Sequence, residues 1–421
     1  MAFVFKFGGA SIKDAGSVQN MARIVSSYNE NLIIVVSAMG KMTRALHKLT
    51  EAYFNRQDVR PDLTSFWAFH YEIINGLSLH TNPDFNAQIK AIETELENKL
   101  EQTPSSDFDF EYDQIVSYGE IVSSVIVSHY LNTSGISNQW VDIRQFLKTD
   151  SIYRDARINW SDSEILINRN FIFSKNKIYI TQGFIASNEK NYTTTLGLEG
   201  SDFSAAALSY FIQAEKLIVW KDVPGIYNSD PNEFENITKL DAISYQEAAE
   251  LAYYGAKVIH PKTIKPLENR NIPLWVKSFK EPAESGTVIT LSTSNKVGVE
   301  PLVPIFISKH DQILISIAPN DFSFIAEDNL EHIFSILAKF RIKVNLMQNS
   351  AISFSVCVDD IEEKVVPAIE NLKQRYKVLY NKNLTLITIR HFDEETIHKT
   401  TKGREIIVQQ KSRHTARFVV K

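Results

Sequence analysis

Short apolar runs alternate with helix-period stretches over the first 290 residues. Phe3–Phe7 and Leu32–Val36 are near-continuous apolar segments ended by turn residues. That is the pattern of strands buried on both faces of a parallel sheet. Between them Ala15, Val18, Ala22 and Val25 fall at helical spacing. The theme repeats with strands over Lys177–Thr181 and Lys216–Trp220 and a helix over Ser204–Phe211. Alternating strands and helices predict an α/β fold, a parallel-sheet sandwich with helices on both faces. Residues 60–102 differ. Two helical stretches, Leu63–Leu77 and Ala87–Gln102, follow one another without a strand, which predicts a helical insert.

The pattern changes near residue 281. Glu281-Pro-Ala-Glu-Ser-Gly286 and Ser292-Thr-Ser-Asn-Lys296 are polar and turn-rich, and Pro301 and Pro304 follow, so 291–304 reads as a linker. Beyond it strands over Gln312–Ala318, Lys343–Met347, Ala351–Val358 and Lys377–Tyr380 are interleaved with helices over Asn329–Phe340 and Ile361–Arg375. This β-α-β-β-α-β order is ferredoxin-like and fills 305–382. A partial echo fills 383–421: strands over Leu384–Arg390, Ile406–Gln410 and Ala416–Val420, with only the short segment Glu394–Thr400 where a full helix would stand.

Composition narrows the function. A formal net charge of −5 on 421 residues argues against a nucleic-acid partner. No apolar run approaches the 18 or so residues of a membrane span, and the apolar N-terminal stretch ends at Lys6, too short for a signal peptide. The single cysteine, Cys357, lies in the alternating run Ile352–Val358 and fits a reducing, cytoplasmic setting. Glycine is scarce, 15 residues where average usage gives roughly 29. Each survivor therefore carries more weight as a position that needs glycine. Nine of the fifteen stand out: Gly8, Gly9, Gly40, Gly119, Gly197, Gly200, Gly225 and Gly255 fall in the motifs below, and Gly183 lies in Thr181-Gln-Gly-Phe184.

Lys6-Phe-Gly-Gly-Ala-Ser11 follows a strand and leads into a helix, where paired glycines and free amides favour an anion such as phosphate. A tight turn with a surface lysine is the plain alternative. No Walker A loop is present, and no G-x-G-x-x-G opens the first βα unit. Val35-Val-Ser-Ala-Met-Gly-Lys-Met-Thr-Arg44 brings small hydroxyl residues to a second strand end, where α/β sheets bind ligands. Ser117-Tyr-Gly-Glu120 and Gly200-Ser-Asp202 each open a helix, and by themselves are ordinary dipole or cap residues. Trp220-Lys-Asp-Val-Pro-Gly-Ile-Tyr227 carries a turn signal, and in Tyr254-Gly-Ala-Lys-Val-Ile-His-Pro261 a single Lys257 or His260 is by itself unremarkable, the proline after His260 pointing to a structural role for it.

Taken in order, these motifs and Thr193-Thr-Thr-Leu-Gly197 resemble the aspartate kinases, of the amino-acid kinase (carbamate-kinase-like) fold. The likeness runs over essentially the whole chain. It makes 1–290 the catalytic domain, 305–382 an ACT domain of the amino-acid-sensing type, and 383–421 a truncated second ACT unit. It implies ATP and Mg²⁺ as cofactors and L-aspartate as the phosphoryl acceptor in the first step of lysine, threonine and methionine biosynthesis. By the same resemblance Lys6 and Asp202 would be catalytic. Lys6, Gly8, Gly9, Ser11, Lys221, Asp222, Tyr227 and Lys257 would hold ATP. Ser37, Thr43, Arg44, Glu120, Phe184 and Ser201 would line the aspartate pocket. Val344, Asn345 and Ser350 would face an allosteric amino acid, in a homodimer formed through ACT domains. The resemblance implies no metal ligand set beyond the nucleotide's Mg²⁺.

Two departures from the family pattern touch this site. Leu198 stands where the family has an arginine that grips a substrate carboxylate, with Glu199 after it in place of glycine. Losing such a charge-assisted contact removes on the order of 1.5–3 kcal/mol. Asn232 replaces a second common arginine. Arg44 and Lys221 are new cations that would compensate, for the carboxylate and the phosphates respectively. Two other functions stay open on these residues: a kinase of the same fold acting on another carboxylate, and a weakly catalytic amino-acid-sensing paralogue.

Overall fold

The computed structural model describes residues 2–230, 233–234, 237–256, 259–291, 303–321 and 323–421. Two compact units account for them, neither a continuous segment. The first comprises 1–226, 239–252 and 257–293; the second comprises 227–238, 253–256 and 294–421. The residues 292–302 of the expected linker lie outside the described residues.

In the first unit the strands are β1 (Ala2–Phe7), β2 (Asn31–Val36), β3 (Gln139–Val141), β4 (Lys148–Thr149), β5 (Ile178–Gln182), β6 (Ile185–Asn188), β7 (Thr193–Thr195) and β8 (Lys216–Lys221). Then come β9 (Ile226–Tyr227), whose second residue belongs to the other unit, β10 (Lys239–Leu240), β11 (Ala242–Ser244), β12 (Leu274–Ser278) and β13 (Thr287–Thr290). Eight of them form one sheet in the order β11-β13-β12-β8-β1-β2-β5-β3. All neighbours are parallel except β12 and β13. β1, β2 and β8 occupy the centre, and their apolar runs are buried on both faces, as a parallel sheet requires.

The helices of this unit begin with α1 (Ala15–Ser26), capped by Asp14, whose carboxylate accepts from the Ser17 amide at 2.7 Å. The expected insert is two helices, α3 (Arg60–Gly76) and α4 (Pro83–Glu101), preceded by α2 (Met42–Phe54). Next come α5 (Phe108–Val116), α6 (Tyr118–Thr133), α7 (Trp160–Asn170), α8 (Gly200–Phe211), α9 (Tyr245–Tyr254) and α10 (Pro261–Asn269). α6 and α8 are buried almost all round, which matches their uniformly apolar and small-residue sequences.

The second unit carries β14 (Ile305–Pro319), α11 (Glu327–Lys339), β15 (Val344–Asn349), β16 (Phe354–Asp359), α12 (Glu362–Lys373), β17 (Tyr376–Arg390), α13 (Glu394–Thr401), β18 (Ile406–Lys411) and β19 (Thr415–Val420). One antiparallel sheet runs β15-β16-β14-β17-β19-β18. The two expected strands Lys377–Tyr380 and Leu384–Arg390 are a single strand, β17, paired along its length with the equally long β14. The polar stretch between them reads as a break, but Asn383 and, across the ladder, Asp311 take left-handed backbone (φ 58° and 52°) and absorb a register shift without ending either strand. The expected strand start at Ala351 moves to Phe354, because Ser350 and Ser353 close a turn on each other.

Two short segments distant in sequence pack into this second unit. The Phe306 amide donates to the Asn228 carbonyl at 2.7 Å, and the Phe234 and Phe306 rings stack with centroids 5.3 Å apart. The Arg417 guanidinium lies 5.0 Å from the centre of the Tyr254 ring. Gly255 (φ 111°) lies so close to the Lys309 side chain that a Cβ there would clash with it.

Candidate active site

Three parallel-strand ends build the site in the first unit. β1 delivers Lys6 and then Gly8 and Gly9; β2 delivers Ser37; β5 leads to Gly183 and Phe184. The ends of β1 and β2 are tied together: the Ser37 amide donates to the Phe7 carbonyl at 3.1 Å, and the Gly40 amide to the Gly9 carbonyl at 3.0 Å. A Cβ at Gly9 would stand 2.6 Å from the Ala38 carbonyl oxygen and 2.7 Å from that of Gly40. Only glycine permits this approach. Ser11 turns back on the loop, its hydroxyl donating to the Gly8 carbonyl at 2.7 Å.

α8 points its N-terminus at this platform. Lys6 Nζ lies 2.6 Å from Asp202 Oδ1, and both side chains are largely buried. Burial pushes the Asp202 carboxyl toward higher pKa, but the charges of Lys6 and then Lys221 outweigh it, so its pKa falls below the ordinary value. Asp202 is thus ionised, paired with Lys6 and within range of the charge of Lys221 from a different strand. Ser201 is buried beside it, and a Cβ at Gly183 would stand 2.7 Å from Ser201 Cβ. Phe184 takes left-handed backbone (φ 69°), and its amide donates to Ser204 Oγ at 2.9 Å. Such strain in a non-glycine residue marks a place where the fold over-determines the geometry.

Glu120 places a second buried carboxyl beside the platform. It lies in the first turn of α6, 2% exposed, with Oε1 accepting from the Ala38 amide at 3.2 Å and Oε2 without a partner. Burial raises its pKa to about 8 against the lowering effects of that amide and of Lys6. A buried carboxyl with one oxygen unsatisfied, within reach of the Lys6 charge, is suited to a cationic group of a ligand.

The remaining expected residues are distributed as follows. Thr43 is half-buried and Arg44 exposed on the first turn of α2; Arg44 forms no ion pair among the described residues. Lys221 ends β8 within range of Asp202, and Asp222 is exposed beside it. Tyr227 groups with the second unit. Lys257 and Asn232 lie outside the described residues. Leu198 is 76% exposed, and Glu199 has left-handed backbone (φ 53°). In the second unit Val344 is half-buried and Ser350 exposed. Asn345 is buried, and its side chain is bonded within the sheet: Oδ1 accepts from Lys309 Nζ at 2.9 Å, and Nδ2 donates to Gln312 Oε1 at 2.9 Å and Asp359 Oδ1 at 2.8 Å.

One supporting residue was not singled out from the sequence. Asp113 of α5 accepts from the Thr195 amide at 2.8 Å, the Thr195 hydroxyl at 2.7 Å and the Arg154 amide at 3.0 Å. It anchors β7, which leads to Leu198, and burial raises its pKa to about 7. The available signal was an acid standing two residues before the apolar pair Ile115-Val116 of a helix otherwise packed inward.

The sequence pattern of the amino acid kinase family matches residues 1–278. The chain is 31% identical over 382 residues to the lysine-sensitive aspartokinase 3 of Escherichia coli (strain K12), covering 85% of this chain and 78% of that protein. It is 28% identical over 392 residues to the chloroplastic bifunctional aspartokinase/homoserine dehydrogenase 2 of Arabidopsis thaliana, covering 89% of this chain but only 42% of that longer protein. Among solved structures, E. coli aspartokinase III in complex with lysine and aspartate has a TM-score of 0.83 at 26% identity, covering 99% of this chain and 95% of that one. The same relative in complex with aspartate and ADP also gives 0.83 at 26% identity, covering 100% and 96%.

Proposed function

The chain belongs to the amino acid kinase family, and on that premise we propose that it is an aspartate kinase, transferring the γ-phosphoryl of ATP to the side-chain carboxylate of L-aspartate. The product is 4-phospho-L-aspartate, the entry to lysine, threonine and methionine. The observation that carries this reading is Glu120: a buried carboxyl with an unsatisfied oxygen, electrostatically coupled to the Lys6–Asp202 pair. An α-ammonium beside Glu120 and a polyphosphate on Lys6 would satisfy both.

The acceptor carboxylate is ionised at pH 7, so the reaction needs no general base. The obstacle is repulsion between an anion and a polyanion, and the site meets it with fixed positive charge. Lys6, steadied by Asp202, and the amides of Gly8 and Gly9 take the charge that builds on the transferred phosphoryl. Ser11 fixes the loop that carries them. Lys221, Asp222, Tyr227 and Lys257 are the residues that would hold the nucleotide. Mg²⁺ chelated by the triphosphate supplies further neutralisation when bound, and Asp202 and Asp222 are the carboxylates that would face it. Ser37, Thr43, Phe184 and Ser201 line the aspartate pocket, and Arg44 takes the substrate α-carboxylate in place of an arginine at Leu198.

The C-terminal unit senses an amino acid near Val344 and Ser350. Asn345 acts there by fixing β15 against β14 and β16, since its side chain is already bonded. Exposed apolar residues around the β15 edge, Met347 and Ile352 among them, suit pairing of two copies into a homodimer. A cytoplasmic setting belongs to the same reading, and a buried free thiol at Cys357 suits a reducing compartment; among the described residues no helix is long and apolar enough to cross a membrane.

A hydroxamate trap for acyl phosphate, run with ATP, Mg²⁺ and a panel of amino acids, tests the proposal. Turnover with aspartate is expected. The exposed Leu198 favours one competing reading, a different carboxylate acceptor, and turnover with another acid instead of aspartate would establish it.

A further inference from the structure

A cavity of about 710 Å³ opens in the first unit between the 155–158 loop, α8 and α10. This is the size of a pocket for a drug-sized molecule. It uses none of the residues assigned above to ATP or aspartate. Trp160, Phe203 and Tyr210 form its aromatic wall. The Trp160 ring stands edge-on to Tyr210 at 5.2 Å between centroids and to Phe203 at 6.3 Å. All three rings are half-buried, neither sealed in the core nor free on the surface.

The charge of the cavity is one-sided. It is lined by three cations, Arg157, Lys262 and Lys265, and one acid, Asp155. Lys262 pairs with Asp155. Arg157 and Lys265 are exposed and form no ion pair among the described residues. Two uncompensated positive charges thus border an aromatic wall. That combination recognises a flat apolar ring by contact and a negative substituent by charge.

We propose that this cavity is a second small-molecule site, which takes an aromatic anion, a ring bearing a carboxylate or sulfonate. The ring packs against Trp160, Phe203 and Tyr210, and the anionic group is held between Arg157 and Lys265. The site borders the catalytic apparatus through the chain itself. Phe203 follows Asp202 in the first turn of α8, and Asp155 Oδ1 would lie only 2.8 Å from a Cβ at Gly197. A ligand held there bears on the helix that positions Asp202 and on the turn before Leu198.

The probe is 8-anilinonaphthalene-1-sulfonate, titrated into the full-length protein with saturating ADP, Mg²⁺ and aspartate to occupy the kinase site. Saturable one-to-one binding is expected, with energy transfer from tryptophan that falls in Trp160→Phe. The double variant Arg157→Glu, Lys265→Glu is expected to bind at least tenfold more weakly while keeping the parent's kinase activity, which shows that its fold is intact. The uncharged N-phenyl-1-naphthylamine is expected to bind at least tenfold more weakly than the sulfonate. Displacement of the probe by ADP or aspartate would overturn the proposal. So would equal affinity in parent and double variant, or binding that never saturates.

Discussion

Replacing Glu120 with glutamine separates the charge of this residue from its shape. The variant keeps an acceptor for the Ala38 amide, which Oε1 now receives at 3.2 Å. It removes a proton whose affinity differs between the folded and unfolded chain. Burial holds the folded-state pKa at about 8, against an ordinary value of 4.5. Between these values the folded protein keeps a proton that the unfolded chain has released. Stability therefore falls as pH rises, by about 1.4 kcal/mol per pH unit for one such proton. From pH 5.5 to pH 8.0 the parent loses about 3 kcal/mol through Glu120 alone, and the glutamine variant loses none of it. Asp113, raised to about 7, adds the same sign of dependence to both proteins and cancels in the comparison. Urea unfolding reads the difference. All five tryptophans, Trp67, Trp140, Trp160, Trp220 and Trp275, lie in the first unit, so their fluorescence follows that unit. With an m-value of about 3 kcal/mol/M, Glu120→Gln should raise the midpoint by about 1 M more at pH 8.0 than at pH 5.5. An equal displacement at both pH values would refute a protonated Glu120 in the ligand-free site. Aspartate binding should oppose the same burial, with proton release on binding near pH 7 measurable by calorimetry in two buffers of different ionisation enthalpy.

Other expectations follow from single contacts. Lys6→Met should lower kcat by about 10²- to 10³-fold, the scale for one lost donor to transition-state charge, with little change in KM for aspartate. Arg44→Ala should raise KM for aspartate about tenfold or more, the loss of one charged contact; an unchanged KM would remove Arg44 from the pocket. Glu199→Gly should stabilise the first unit by about 1 kcal/mol in urea unfolding, because the left-handed backbone at this position strains any residue with a Cβ.

Much of the parallel-sheet unit was legible because its strands are buried on both faces. Phe3–Phe7, Leu32–Val36 and Lys216–Trp220 are dominated by apolar residues, with only Lys6 and Lys216 polar among them, and the observed strands match within a residue or two. Short strands such as β4, β6 and β7 were not legible. Thr193-Thr-Thr195 carries no apolar alternation, and its burial rests on side-chain partners, above all Asp113, which lies 82 residues from Thr195. The β17 strand was divided at Asn381-Lys382-Asn383 because local polarity imitates a turn, and only the opposing irregularity in β14 shows why it continues. The site was legible as motifs and not as a charge pattern. Lys6, Glu120 and Asp202 stand far apart in sequence, and nothing local distinguishes a capping acid from one whose proton affinity is raised by burial or lowered by two lysines. Asn345 shows the limit most clearly, since its neighbours Lys309, Gln312 and Asp359 are supplied by other strands.

The interleaved composition of the two units bears on how such a chain can be taken apart by recombination. A crossover in the 291–304 segment looks like a clean exchange of one regulatory module for another. It would instead leave 227–238 and 253–256 behind, and with them the Asn228 and Phe234 partners of Phe306 and the Tyr254 face that meets Arg417. A foreign sensor would inherit a docking surface fitted to its predecessor. Residue changes in those two short stretches are therefore expected to accompany changes in the sensor, so that the kinase sequence itself keeps a record of the regulator it was built with.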